Sequence, residues 1–209
     1  MRPIFELMKE RGIIANEMFT LCLGKNGGYF QLGGYDGQGH LGSNVTWIPM
    51  WETLSYKFSL SGVAMNNHRI AGTEEFSIGV IDSGTTFTYV PIKLFSMLVS
   101  HFDWFCALNT TVHCKGKRIT TDTSLICFEY DENLSPEGPR KYFLSYPVIN
   151  FLTTDVDGNK FPLKWYPSEY LYREKANKYC MGIERFSRPN EILLGGTFMR
   201  QNAFIFDVE

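Results

Sequence analysis

One stretch joins residue types that could do chemistry to a frame able to hold them. It runs Ile78-Gly79-Val80-Ile81-Asp82-Ser83-Gly84-Thr85-Thr86-Phe87-Thr88-Tyr89-Val90. Ile78 to Ile81 read as a buried strand that delivers one carboxylate, Asp82, at its end. Ser83, Gly84, Thr85 and Thr86 follow at once, so a glycine-permitted turn sets several hydroxyls beside that carboxylate. An ionised Asp is rarely buried without partners, and a rigid apolar lead-in followed by hydroxyl donors suits an acid held for proton transfer. A strand-to-loop turn with an Asx-type cap would need only Asp-Ser-Gly. The longer pattern, with apolar residues before Asp-Ser-Gly-Thr-Thr, favours the chemical reading.

The 209 residues suit one domain or one large lobe of something bigger. An apolar share of 44% supplies a core, and 19 glycines with few long helical periodicities tilt the chain toward β structure with many turns. The net charge of −2 comes without a basic stripe, so nucleic acid is not an expected partner. No apolar run approaches the length of a membrane span. The amino terminus carries charges where a signal peptide needs an apolar core. Five cysteines (22, 106, 114, 127, 180) and three glycosylation sequons, at Asn44, Asn109 and Asn133, nevertheless point to the secretory route. Either the thiols are free in a cytosolic protein, or the chain has lost its front end.

In chain order, Pro3 to Arg11 reads as a short helix stopped by Gly12. Met18 to Leu23 and Tyr29 to Leu32 read as a hairpin around Lys25-Asn26-Gly27-Gly28. Val45 to Met50 and Tyr56 to Ser61 read as strands, with a turn at Asn66-Asn67. After the Asp82 loop, Pro91 to Val99 reads as a helix with Ile92, Phe95, Leu98 and Val99 on one side. His101 to Thr123 offers few periodic cues and is expected to be a surface loop. Strands are expected at Tyr146 to Leu152, Phe161 to Leu163 and Tyr179 to Ile183, with a turn at Asp157-Gly158-Asn159. The apolar run Ile192-Leu193-Leu194-Gly195-Gly196-Thr197-Phe198-Met199-Arg200 and the strand Ala203 to Glu209 close the chain.

With these stretches in view, the sequence resembles the carboxy-terminal lobe of a pepsin-like aspartic protease, nearest to the plasmepsin-like and beta-secretase-like branches. The carrying residues are Val80 to Thr86, Ile192 to Arg200 and Phe204 to Asp207, and the resemblance covers essentially the whole chain. It implies an all-β fold with a few short helices, the carboxy-terminal lobe of a two-lobed acid protease. Residues 1–17 would be the interlobe helix and connection, and 18–209 the lobe. Asp82 would be one half of a catalytic pair that activates a water for peptide-bond hydrolysis. Two such carboxylates titrate as a unit because like charges at short range cannot both ionise, for which the aspartic proteases are the standing example. Supporting roles fall on Ser83, Gly84, Thr85, Thr86, Leu193, Leu194 and Gly195. In the family a glycine at Gly195 lets a loop cross beneath the Asp, Thr85 would bond the outer oxygen of Asp82, and Ser83 would bond across the lobe interface.

The sequence holds one Asp-Ser/Thr-Gly motif, since Asp36-Gly37 and Asp157-Gly158 lack the hydroxyl residue between. The resemblance therefore implies an absent amino-terminal lobe as partner, a peptide or protein substrate, and a chain inactive alone. It also implies a clipped carboxy end, with room for a membrane anchor after Glu209, and a secretory, acidic-vacuolar or extracellular setting. The alternatives are a non-catalytic peptide-binding or regulatory lobe, and a homodimer in which two copies of Asp82 face each other. The resemblance pairs Cys127 with Cys180, Cys106 and Cys114 are close enough in sequence to staple their loop, and Cys22 is left over. His101, Cys106, His113 and Cys114 cluster without the tight Cys-x-x-Cys spacing of a zinc site, so no metal or other cofactor is expected. His40 and His68 read as solvated loop residues. Trp47, Trp51, Trp104 and Trp165 read as packing residues.

Overall fold

The computed structural model describes residues 4–24, 26–36, 45–52, 55–108, 113–119, 125–130 and 138–208. The chain is all-β in character, and it divides into two compact units, residues 1–47 with 199–209 and residues 48–198.

The smaller unit holds α1 (Ile4–Glu10), β1 (Met18–Gly24) and β2 (Gly27–Leu32), with the chain's last strand, Ala203–Asp207, returning beside β1. The three strands pair antiparallel with β1 in the centre. Phe19 on β1 is the hub. Its ring stacks on Phe206 at 4.6 Å and on Phe5 at 5.4 Å, and lies 5.8 Å from Phe30 across the hairpin. Cross-strand aromatic pairs of this kind stabilise a sheet too small to bury much surface otherwise.

The larger unit begins with β3 (Met50–Glu52), β4 (Lys57–Ser59), β5 (Gly62–Met65), β6 (His68–Gly72), β7 (Phe76–Ile81) and β8 (Thr88–Pro91), followed by α2 (Ile92–Leu108). Next come β9 (Lys117–Ile119), β10 (Cys127–Glu129), α3 (Pro139–Leu144), β11 (Ile149–Thr154), β12 (Lys160–Trp165) and α4 (Pro167–Tyr170). β13 (Leu171–Lys175), β14 (Lys178–Met181), β15 (Ile183–Phe186), β16 (Asn190–Leu194) and α5 (Gly196–Met199) complete it, and Ala203–Asp207 is β17. Among the described residues these strands form three sheets, in strand orders β15-β8-β16-β7-β4-β3, β12-β11-β5-β6 and β13-β14-β10-β9. Fully buried Phe76, Leu94, Phe102, Phe128, Phe151, Trp165, Tyr170 and Phe198 form the core between them. Trp165 satisfies its indole N–H on the Thr197 carbonyl at 3.0 Å, so its bulk enters the core without an orphaned donor.

Several sequence expectations give way. The strand expected over 45–50 starts only at Met50; Pro49 brings no N–H to a ladder, and residues 45–49 run without pairing. The helix expected to end at Val99 continues to Leu108, so His101 to Leu108 is not a surface loop. Its buried stripe is Leu94, Phe95, Leu98 and Phe102, a helical spacing that carries on past Val99, while Ile92 is 57% exposed. The same expected loop also contains β9. Trp51 and Trp104 are 56% and 44% exposed and so are not packed like Trp165. His68 opens β6 rather than a loop, although it is exposed. His40 and the sequon residues Asn44, Asn109 and Asn133 lie outside the described residues.

Candidate active site

β7 is the rail that carries Asp82. It lies between β16, which runs parallel to it, and β4, which runs antiparallel. The pairing extends beyond the strand's end on both sides. Ile81 N–H donates to the Tyr56 carbonyl at 3.1 Å, and Asp82 N–H donates to the Leu194 carbonyl at 3.1 Å. The backbone of Asp82 is thus fixed by sheet geometry before its side chain makes any contact.

The side chain is half-buried, and both its oxygens accept hydrogen bonds from the turn that follows. Gly84 N–H donates to Oδ1 at 2.9 Å and Thr85 Oγ1 donates to Oδ2 at 2.5 Å. Thr85 N–H also reaches the Asp82 carbonyl at 3.3 Å, which closes the turn. Donors on both oxygens fix the plane of the carboxylate, and each oxygen keeps a further lone-pair direction for a water or substrate proton. Ser83 and Thr86 are exposed beside it.

Residues 110 positions away in sequence close the arrangement. β16 places Leu194, fully buried, opposite Ile81 and then turns at Gly195. A Cβ on Gly195 would stand 2.1 Å from the Phe87 carbonyl oxygen and 2.6 Å from that of Thr85. Only a residue without a side chain passes there. The next amides fasten the two loops together, Gly196 N–H to Thr85 O at 2.7 Å and Thr197 N–H to Thr86 O at 3.0 Å. Thr197 is anchored in turn by its hydroxyl on the Gly182 carbonyl at 3.1 Å. Leu193 is half-buried and pairs with Tyr89 of β8. The structure therefore brings Asp82, Ser83, Gly84, Thr85 and Thr86 together with Leu193, Leu194 and Gly195. Gly196, Thr197 and the Tyr56 carbonyl were not singled out as site groups from sequence; the doubled glycine before Thr197 signalled the first two, and nothing in the sequence signalled the third.

The cysteines sort as Cys106–Cys114 and Cys127–Cys180 disulfides, with Cys22 free. Cys127 and Cys180 face each other across the antiparallel pair β10 and β14. The sulfurs of Cys106 and Cys114 are bonded to each other, and the His113 ring lies against Phe105 with centroids 4.2 Å apart.

The family model of eukaryotic aspartyl proteases matches residues 1–209. The chain belongs to that family. Among curated aspartyl protease relatives it is 24% identical over 193 residues to plasmepsin V of Plasmodium falciparum, covering 79% of this chain and 30% of that protein. It is 26% identical to aspartyl protease family protein 1 of Arabidopsis thaliana (97% of this chain, 36% of the relative) and 21% identical to pepsin A of Gallus gallus (98% and 48%). The chain thus spans less than half the length of each of these aspartyl protease relatives. No helix among the described residues is long and apolar enough to cross a membrane.

Proposed function

We propose that this chain supplies one carboxylate, Asp82, to an aspartic-type endopeptidase, the second carboxylate coming from an amino-terminal lobe that carries the partner motif. The observation that carries the reading is the clamp on Asp82, with Gly84 N–H on one oxygen and Thr85 Oγ1 on the other. In the reaction a water held between the two carboxylates loses a proton to one of them and attacks the peptide carbonyl. The other carboxylate, protonated, donates to the carbonyl oxygen, and the roles exchange as the amine leaves. The substrate is an extended peptide whose side chains alternate into pockets. Ser83, exposed beside the carboxylate, bonds across to the partner lobe. Two disulfides suit an oxidising compartment, so we place the protein on the secretory route.

The test is Asp82→Asn in the full-length protein, assayed on a peptide library at acid pH. The substitution keeps shape and removes the proton acceptor, so cleavage should fall by about 10²- to 10⁴-fold while the unfolding temperature holds. Cleavage at the wild-type rate would refute the assignment.

A further inference from the structure

We propose that the cavity between α2 and β6 is a second binding site, an acid-gated one, for an organic anion that sets its negative group against Arg69, Lys93 and His101 and its apolar body against Trp104. None of the residues that line it belongs to the Asp82 loop, and the proposal does not rest on the protease reading.

The cavity is a groove largely open to solvent, with a volume of about 480 Å³. That is the size of a small-molecule site and far more than a bare sulfate or phosphate fills. Its α2 wall is built from positions spaced three and four apart, Lys93, Ser96, Met97, Ser100, His101 and Trp104, and Arg69 and Ile70 of β6 form the other side. These side chains offer a guanidinium, an ammonium, an imidazole and two hydroxyls, and no carboxylate. A ligand there has to accept hydrogen bonds. Met97, Ile70 and Trp104 supply the apolar surface, and an indole left 44% exposed is the part that gains most from being covered.

The charges around the cavity explain why acid would open it. Lys93 Nζ holds Glu75 Oε1 at 2.5 Å. Arg69 donates to the Ser61 carbonyl at 3.1 Å, and the nearby Glu74 accepts the Gly72 N–H at 3.0 Å. Backbone N–H donors from Glu74 itself and Gly72, helped by Arg69 and Lys93, keep the Glu74 carboxyl below its ordinary range, so it stays charged. On α2, Asp103 is held by Arg118 of β9. At neutral pH the two carboxylates of the β6–β7 turn therefore offset Arg69 and Lys93. The sign of the cavity then turns on His101, whose ring lies 5.7 Å from that of His68 and 4.8 Å from Trp104, with His68 5.4 Å from the same indole. Desolvation first, and the neighbouring His68 second, push the His101 imidazole down. Protonating His101 adds a positive charge to a wall that already holds Arg69 and Lys93, and an anion seated there offsets it. Binding should therefore take up protons.

The test uses phenyl sulfate, inorganic sulfate and phenol, none of which changes charge near neutrality, titrated into the full-length protein. Histidine ring resonances and tryptophan emission report occupancy at about pH 5.5 and about pH 7.5. Phenyl sulfate should bind at least about tenfold more tightly at the lower pH, and more tightly than either sulfate or phenol. Arg69→Gln should weaken it by about tenfold, and Ser100→Glu, at an exposed helix position, should do so without touching any packed contact. His101→Gln should flatten the pH dependence, and Asp82→Asn should bind as the wild type does. Equal affinity at the two pH values, pH dependence that survives His101→Gln, phenol binding as tightly as phenyl sulfate, or dependence on Asp82 would each overturn the proposal.

Discussion

Thr85 Oγ1 sits 2.5 Å from Asp82 Oδ2, the shorter of the two hydrogen bonds that orient the carboxylate. A donor on an ionised acceptor contributes about 1.5–3 kcal/mol, more than a neutral pair, and it also selects one rotamer of the acid. Thr85→Val keeps the β-branched shape and removes only the hydroxyl. We expect a fall of about tenfold or more in kcat with KM little changed, because what is lost is the orientation of the acid rather than substrate contact. Thr85→Ser should retain most of the activity, and a valine variant with unchanged kcat would show that Gly84 N–H is sufficient. At this scale the sequence was informative because Asp82, Gly84 and Thr85 fall within the run Asp82-Ser83-Gly84-Thr85 and one turn holds all three. The Tyr56 and Leu194 carbonyls that fix the Ile81 and Asp82 backbone, respectively, are main-chain groups, which any residue carries, and no side-chain pattern could announce them.

Between elements, the crossing of the β16 turn over the loop 85–87 is a matter of space. An alanine at 195 would drive its Cβ against two carbonyl oxygens, and backbone cannot give way as a flexible side chain can. Gly195→Ala should cost about 3 kcal/mol or more, read as a drop in the denaturant midpoint with the slope unchanged. A loss below about 0.5 kcal/mol would mean that the loops separate freely. α4 holds a second device. Glu169 is 4% exposed, and its carboxylate accepts the Tyr166 N–H at 2.9 Å. Burial raises its pKa from 4.5 to about 7, partly opposed by that hydrogen bond. Below about pH 4.5 the folded and unfolded chains both hold the proton. Between 4.5 and about 7 the folded chain keeps a proton that the unfolded chain has lost, so stability declines as pH rises, and above 7 the full penalty applies. Glu169→Gln keeps the acceptor without the charge. Its unfolding free energy should exceed the wild type's by about 3 kcal/mol at pH 8 and match it at pH 4, and equal curves across that range would contradict the burial argument. Element boundaries were legible where a run of one period ended in Gly or Pro. α2 runs past the expected end at Val99 because Leu94, Leu98 and Phe102 keep the helical spacing to the core while the polar and aromatic His101, Asp103 and Trp104 lie off that stripe.

Across the whole molecule, a sequence read left to right could supply strands but not their order. β16 lies between β7 and β8, parallel to one and antiparallel to the other, and pairs Leu194 with Ile81 and Leu193 with Tyr89, residues far apart in the chain. The resemblance brought the two stretches together only through the Gly195 loop crossing beneath Asp82, and the strand order was not legible because alternation along a strand records which face is buried and not which neighbour it meets. The same distance in sequence sets the worth of the two disulfides. Cys127–Cys180 closes a separation of 53 residues and ties β10 to β14, with both residues fully buried; Cys106–Cys114 closes 8. On the chain-entropy account the first constrains the unfolded state by about 4 kcal/mol and the second by about 2.5 kcal/mol. The buried pair also loses side-chain volume when cut back, whereas Cys106 is half-exposed. Cys127→Ala with Cys180→Ala should therefore lower stability by at least about 1.5 kcal/mol more than Cys106→Ala with Cys114→Ala, compared as urea midpoints at one pH. The reverse order would mean that the short staple restrains α2 natively, through the turn of helix that ends at Leu108, more than it restrains the unfolded chain.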